Sequence, residues 1–451
     1  MVNVDSMISK DKIKSMVEKR GPSLSEEEIN ERTRNICNDI GSRSYNFLGY
    51  QKKFYTRFSK KRVAYSYPRL SCEDIICQYL KCQLEEKLQV KYASRDRIAN
   101  ILFNILPVVK DMNDFVIVRV SFKNLFDSVL TKYVYNKYIK NSGLKRSDKD
   151  KFEEYVNKIS CCHSGLCLSN VMVEIICRDF DEHIKSRLYS FGLVIYERYI
   201  DDILIVMNKY MPQENFLELT TACISEVFGN LPVKLEMRAG NFSYITRRAF
   251  RQDAGNYIEN FSFLGYEIGL EKGANANIIL LKYGVDAKER ERFKDILRKA
   301  ITQYSMDGNL ELLRQRIKIY SSIVVVNGVS TVKFDRKKDC ILCKYSELIH
   351  HPNQLATDTR RFMKGIYFDL YREFGNEVPI PYFLKNSHRE PSIYNIFSNL
   401  NRRRIILFHD SMGVSSEMII NWMGKLNRVY SGDVQDYYRI VSDYLELIKI
   451  E

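Results

Sequence analysis

The stretch YERYIDDILIV, residues 196–206, sets Asp201 and Asp202 between apolar segments. Ile203, Leu204, Ile205 and Val206 are strand material that favours burial. Two carboxylates with nothing cationic beside them cost several kcal/mol in such surroundings. Whatever fold the chain adopts must therefore bring a cation here: an arginine, with Arg198 and Arg119 the nearest candidates, or divalent metal. Two short strands with the acids at or near the turn between them form a β-hairpin.

The chain around this hairpin has 451 residues and 45% hydrophobic content, enough for a full core and for roughly two to four domains. Lys and Arg outnumber Asp and Glu by 70 to 56, a formal charge of +14 spread along the chain. This balance favours a polyanionic partner, nucleic acid before an acidic membrane surface, over a merely solvated basic surface. No apolar run reaches the ~18 residues of a membrane span, and the start MVNVDSMISKDK lacks a signal peptide's apolar core. The expectation is a cytoplasmic protein with no membrane partner. Its 11 cysteines are then expected as reduced thiols. Cys340 and Cys343 in DCILCKY have zinc-type spacing, with His350 and His351 nearby. No second such pair follows, and the alternation of CILC reads as a hairpin strand whose cysteines pack in the interior.

Several segments declare their structure. SLSEEEINERTRNI and SCEDIICQYLKCQLEEKL begin with serine caps and read as helices. RVAYSYP reads as a strand. YASRDRIANILFNIL reads as a helix whose first turn carries Arg95 and Arg97, either ordinary first-turn surface residues or, the reading slightly favoured, residues suited to gripping phosphate. DFVIVRVSF (114–122) is a dense strand signal, NLFDSVLTKYVYNKYI turns helical, and GLCLSNVMVEIICRDFDEHI is a long helix with small residues at its mouth. NLPVKLEMRAG and FSFLGYEIGL read as further strands. Beyond them, GVDAKERERFKDILRKAITQY opens a run of helices interrupted by a hairpin-like segment (320–345), and the chain ends in mostly helical sequence such as NRRRIILFHDS. FLGY occurs at 47–50 and 263–266 without any wider repeat, and no long Pro- or Gly-rich linker is visible.

This order resembles the palm of reverse transcriptases. RYIDDILIV is similar to that family's aromatic-x-Asp-Asp hairpin, with Tyr199 as the aromatic. FKNLFDSV (122–129) is similar to the segment after its first catalytic aspartate, SGLCLSN with VEI (164–175) to its glycine-led template-and-nucleotide loop, and FSFLGYEIGL to its primer-side strand. SRDRI and VIVRVSFKNLFDSV are most similar to the bacterial branch linked to abortive infection and phage defence. The resemblance implies an α+β right-hand polymerase with fingers, palm and thumb and an additional C-terminal helical region. The divisions expected from it are an N-terminal helical region (1–60), fingers (61–110), palm (111–270), thumb (271–365) and a C-terminal helical appendage (366–451).

The implied activity is nucleotidyl transfer from dNTPs, RNA-directed or template-independent, in antiviral defence. RNA or DNA would be bound, along with a non-coding RNA, a second defence protein or further copies of the chain. In-line phosphoryl transfer of this kind uses two Mg²⁺ or Mn²⁺ ions ~3.5–4 Å apart, held by hard carboxylate oxygens; Asp201 and Asp202 are the implied ligands. The resemblance assigns the nucleotide to Phe122, Phe126, Ser164, Gly165, Arg95, Arg97 and Tyr199, with Phe126 as the aromatic gate against the ribose 2′-hydroxyl. It assigns a duplex backbone to Lys288, Arg290, Arg292, Lys294 and Arg298.

Two departures stand out. Relatives read Asp-x-x-x-x-Phe/Tyr where this chain has Ser121 to Phe126, so Ser121 takes the catalytic position of a metal-bridging aspartate. Asp127 is expected in the following helix, pointing elsewhere. Relatives read Gly-x-Pro-Gln-Gly where this chain has Cys161-Cys162-His163-Ser164-Gly165, whose Cys-Cys-His spacing is poor for metal and reads as divergence. Three readings follow: a working polymerase, a catalytically impaired pseudo-polymerase acting as a nucleic-acid-binding subunit, and an unrelated α+β protein in which Arg198 or Arg119 neutralises the acids.

Overall fold

The dense strand signal after Asp114 becomes the centre of a sheet in the computed structural model, which describes residues 8–450 apart from 22–23, 58–59, 254, 276, 328–333, 337–339, 386, 388–391 and 433–435. The chain forms two compact units, Met1–Ile98 with Met112–Ala249, and Ala99–Asp111 with Phe250–Glu451.

The first unit runs α1 (Lys10–Arg20), α2 (Glu26–Ser42), β1 (Gln51–Arg57), β2 (Lys60–Ser66), α3 (Cys72–Lys87), the first turn of α4 (Arg95–Val109), β3 (Val116–Lys123), α5 (Leu125–Ser128), α6 (Thr131–Val134), α7 (Arg146–Lys158), α8 (Cys167–Leu188), β4 (Leu193–Tyr199), β5 (Asp202–Met207), α9 (Gln213–Phe228), β6 (Lys234–Glu236) and β7 (Ser243–Thr246). The expected caps are present: Ser25 and Glu28 make a capping box on α2, and the Ser71 side chain accepts from Asp74 N on α3. The principal sheet has the order β4-β5-β3-β6, with β7 on the start of β3 and every pairing antiparallel. Strand β3, helix α8, the β4–β5 hairpin, helix α9 and strand β6 make a βαββαβ unit of ferredoxin-like type.

Strand periodicity sorts the side chains of this sheet onto two faces. Val116, Val118, Val120 and Phe122 join Ile203, Ile205 and Met207 in a core with Val173 and Ile176 of α8 and Val227 of α9. The Phe122 ring meets Phe180 of α8 at 5.1 Å and Phe228 of α9 at 5.8 Å. Arg119 and Ser121 consequently face the other side. Arg198 of β4 faces the helices, where its guanidinium binds Glu174 at 2.7 Å and Asp181 at 2.9 Å, and Tyr196 Oη donates to Asp181 at 2.6 Å.

The second unit contains the rest of α4, the end of α10 (Arg247–Gln252), β8 (Ile258–Phe263), β9 (Tyr266–Lys272), β10 (Ile279–Val285), α11 (Ala287–Asp307), α12 (Leu310–Tyr320), β11 (Ile323–Asn327), β12 (Phe334–Arg336), α13 (Ile341–Lys344), α14 (Thr357–Phe374), α15 (Tyr382–Lys385), α16 (Ile396–Asn401), β13 (Ile405–His409), β14 (Met412–Gly413), α17 (Ser416–Gly424) and α18 (Tyr437–Leu447). Three expectations are corrected here. FSFLGYEIGL is a hairpin, β8 and β9, turning at Leu264 and Gly265 with φ 54° and 79°; positive φ at both central residues matches the twist of paired strands, and glycine takes it without cost. NRRRIILFHDS is not helical: β13 lies parallel to β11 in a sheet of order β12-β11-β13-β14. CILC is the turn of helix α13, not a strand. Its thiols serve backbone groups, with Cys343 Sγ accepting from Val324 N at 3.0 Å and Cys340 Sγ donating to Ile319 O at 3.3 Å. Of the hairpin-like segment at 320–345, strands β11 and β12 are present and the residues joining them lie outside the described ones. Among the described residues no helix is long and apolar enough to cross a membrane.

The Arg198 cluster generates a stability prediction. Arg198→Ala leaves Glu174 and Asp181 facing each other with their cation removed, which should cost about 3–5 kcal/mol. Chemical denaturation should show this loss, and Asp181→Asn in the same chain should recover part of it.

Candidate active site

The β4–β5 turn is pinned to the end of β3. Ile200 takes φ 62°, and Phe122 N donates to Asp201 O at 2.9 Å. In this register Asp202 lies opposite Tyr199 on one side and Ser121 on the other, and Ser121 lies opposite Glu236 of β6. Directly opposed residues of antiparallel strands share a face, with Cβ atoms ~4.5–5.5 Å apart. Tyr199, Asp202, Ser121 and Glu236 therefore form one row across four strands, on the face away from α8 and α9. Glu236 was not singled out from the sequence. The alternation Lys234-Leu235-Glu236, with Leu235 packing on the core, is the signal that places its carboxylate on the outer face.

Arg119 supplies the cation that the hairpin requires. Two residues before Ser121 on β3, it shares that face; Nη2 donates to Asp202 Oδ1 at 2.6 Å and Nη1 to Gly240 O at 2.9 Å. Its side chain is 8% exposed and that of Asp202 31%, so the pair sits at the mouth of the site. Arg198, the other candidate, is spent on the opposite face. Ser121 is buried between Asp202 and Glu236. The Arg238 guanidinium beside Glu236 holds that carboxyl below its ordinary range.

A two-metal cage takes bridging carboxylates from neighbouring strands. Asp201 and Asp202 offer hard carboxylate oxygens at the hairpin tip, the donor class that Mg²⁺ or Mn²⁺ takes, with Oδ1 of Asp202 engaged by Arg119. The neutral Ser121 hydroxyl does not replace the second bridging carboxylate. Among the described residues, the group of three whose ligand atoms converge within 4.8 Å lies elsewhere, at Asp127, Cys161 and His163.

The other expected site residues are distributed unevenly. Phe122 is a core residue 2% exposed, which corrects its expected place beside a nucleotide; strand alternation turns it away from Ser121. Phe126 on α5 is half-buried. Ser164 is exposed, and its carbonyl accepts from Tyr65 N of β2 at 2.9 Å. Gly165 has φ 103°, and a Cβ there would stand 2.6 Å from Tyr65 O, so this position admits only glycine. Arg95 pairs with Asp96 at 3.8 Å, and Arg97 with Glu197 of β4 at 2.8 Å. A cavity of about 560 Å³ lies beside β4, lined by Arg97, Arg178, Lys185, Glu174 and Asp181 among others, and does not include Asp201 or Asp202.

In the second unit, the cations of α11 do not form an open basic stripe. Arg290 pairs with Glu267 at 3.3 Å, Arg292 with Glu289 at 3.5 Å, Arg298 with Glu373 at 2.9 Å, and Lys294 with Glu373. Lys288 is exposed. The expected duplex-following surface is thus largely neutralised by carboxylates of the same unit.

A divalent ion at Asp202 would have to compete with Arg119. Charges in contact at a partly exposed site interact by about 1–4 kcal/mol, so Arg119→Gln should tighten Mn²⁺ binding roughly tenfold. A Mn²⁺ titration followed by electron paramagnetic resonance checks this, with Asp201→Ala/Asp202→Ala as the reference that loses the site.

No family model matches the chain, and no curated protein matches it. Among solved structures, it is similar to apo telomerase from Candida tropicalis truncated from its C-terminal domain, at 12% identity and a TM-score of 0.34, over 53% of this chain and 55% of that one. It is likewise similar to telomerase from Candida albicans in complex with a TWJ fragment of telomeric RNA, at 11% identity and a TM-score of 0.34, over 97% of this chain and 65% of that one. The chain thus spans less than two thirds of the length of either.

Proposed function

We propose that the chain is a reverse-transcriptase-type nucleotidyltransferase that joins deoxynucleotides to a primer, RNA-directed or template-independent, with the βαββαβ sheet of the first unit as its palm. The observation that carries this reading is the Asp201–Asp202 turn, pinned to the end of β3 on the open face of that sheet. A divalent ion bound there would supply charge stabilisation for the attacking 3′-oxygen and the transferred phosphate. Asp201 and Asp202 would hold it. Arg119 donates to Asp202 and keeps that carboxylate compatible with its surroundings. Tyr199 and Ser121 flank Asp202 in the row, and the glycine at 165 lets the loop before α8 approach β2 closely. The resemblance of SRDRI and VIVRVSFKNLFDSV to phage-defence polymerases supports a setting in antiviral defence, with a non-coding RNA and a second defence protein as partners.

A second reading is favoured by a specific pair of observations: Ser121 stands where a bridging carboxylate belongs, and Arg119 occupies Asp202. In that reading the chain is a nucleic-acid-binding subunit that has lost its chemistry.

The test uses the full chain purified with any bound RNA retained, supplied with labelled dNTPs and Mg²⁺ or Mn²⁺. Under the first reading labelled product accumulates and falls by about 10³-fold or more in Asp201→Ala/Asp202→Ala. No product from either protein, with RNA still bound, selects the second reading, as does activity that appears only in Ser121→Asp. Failure to bind both RNA and DNA at moderate salt removes both, because backbone contacts supply most of such affinity.

A further inference from the structure

The convergence of Asp127, Cys161 and His163 is not used by the proposed chemistry. Asp127 lies on α5, directly after Phe126. Cys161 and His163 lie in the turn that leads through Gly165 into α8. One ligand atom from each falls within 4.8 Å of the other two. Backbone bonds hold the two segments in place: Cys162 N donates to Val129 O at 2.9 Å, Thr131 N to Ser160 O at 3.1 Å, and Leu130 and Cys161 form an antiparallel bridge. The three ligands are therefore brought together by the fold itself and owe nothing to loop closure on an ion.

We propose that Asp127, Cys161 and His163 form a binding site for a Zn²⁺-class divalent ion, with a fourth coordination position left to water or an incoming ligand. Spacing, chemistry and orientation support it. Zinc bonds of ~2.3 Å to sulfur and ~2.0–2.1 Å to nitrogen in a tetrahedron put the two atoms about 3.5 Å apart; Cys161 Sγ and His163 Nδ1 are separated by 3.4 Å. One thiolate, one imidazole and one carboxylate is a borderline-soft set that suits zinc and not Mg²⁺. The imidazole is oriented by stacking on Tyr65 at 4.3 Å and leaning on Tyr50 at 5.7 Å. Burial lowers the pKa of His163, against the raising effect of Asp127 and with the help of Lys52, which favours the neutral ring that ligates metal. Burial, with Asp127 second, raises the Cys161 thiol; the ion would draw that proton off on binding.

A bound ion would clamp the segment carrying Phe126 to the loop carrying Ser164 and Gly165. This site does not depend on the polymerase reading. It differs from the all-oxygen set at Asp201 and Asp202, and from the Cys340–Cys343 pair in the second unit.

The test is Co²⁺ titration of the full chain, reduced and stripped by a chelator. The expected result is about one equivalent of tetrahedral Co²⁺ with a thiolate-to-cobalt charge-transfer band, bleached by Zn²⁺. Cys161→Ser should abolish the band, while His163→Gln and Asp127→Asn should weaken binding about 10–100-fold. Asp127 is exposed, so Asp127→Asn reports on the site even if Cys161→Ser perturbs folding, which circular dichroism shows directly. Cys340→Ser/Cys343→Ser and Asp201→Ala/Asp202→Ala should leave the band unchanged. Absence of the band, or its loss only in the Cys340→Ser/Cys343→Ser chain, overturns the proposal.

Discussion

The register of β3 against β5 decides where every charged group of the site stands. Because side chains alternate along a strand, a slip of one residue would carry Arg119 and Ser121 into the packed face and turn Phe122 to the open one. The phenylalanine cluster of Phe122, Phe180 and Phe228 opposes such a slip. So does the bond from Phe122 N to Asp201 O, which fixes the hairpin tip against the strand end. Packing on one face thus positions the polar groups of the other: core residues set the row of Tyr199, Asp202, Ser121 and Glu236.

Two arginines in this sheet meet similar demands with opposite consequences. Arg198 lies on the helix-packed face with its side chain 4% exposed, held by Glu174 and Asp181 whose side chains are 16% and 15% exposed. This arrangement makes each partner depend on the others, since removing the guanidinium leaves two largely buried like charges facing each other. Arg119 binds the Asp202 carboxylate, which is open to solvent on one side. Water and ions can reach Asp202, so this guanidinium is exchangeable in a way that Arg198 is not. The opening problem is therefore met at Asp202 by Arg119, while Arg198 answers the separate demand of Glu174 and Asp181 on the packed face.

What the sequence made legible was local. Serine caps, the strand at 116–123 and the Asp-Asp hairpin follow from short-range periodicity and capping chemistry, and each appears where its residues imply. What it hid was set by distant partners. IILFH is a strand because β11, far earlier in the chain, lies beside it. CILC forms a helical turn whose thiols bond the backbone around β11 instead of alternating along a strand. Leu264 gave no hint of a turn, because a leucine seldom takes positive φ; only the closing of β8 on β9 requires it there. Glu236 escaped notice for the same reason, becoming interesting only beside Ser121; Asp127, expected to point away from the hairpin, finds its neighbours in Cys161 and His163.

The two ligand sets of the first unit can be kept chemically separate. Asp201 and Asp202 offer only carboxylate oxygen and carry a competing arginine, so in the proposed reading a hard ion would have to bind there by mass action. Asp127, Cys161 and His163 add sulfur and nitrogen to a single carboxylate, a set for which a hard ion has little affinity and which a zinc-class ion would prefer. Softness of the donors, more than distance, would sort the metals. Under the proposed polymerase reading, serine at position 121 would matter more than a change of shape, because a neutral hydroxyl is a weaker ligand for a hard ion than a carboxylate.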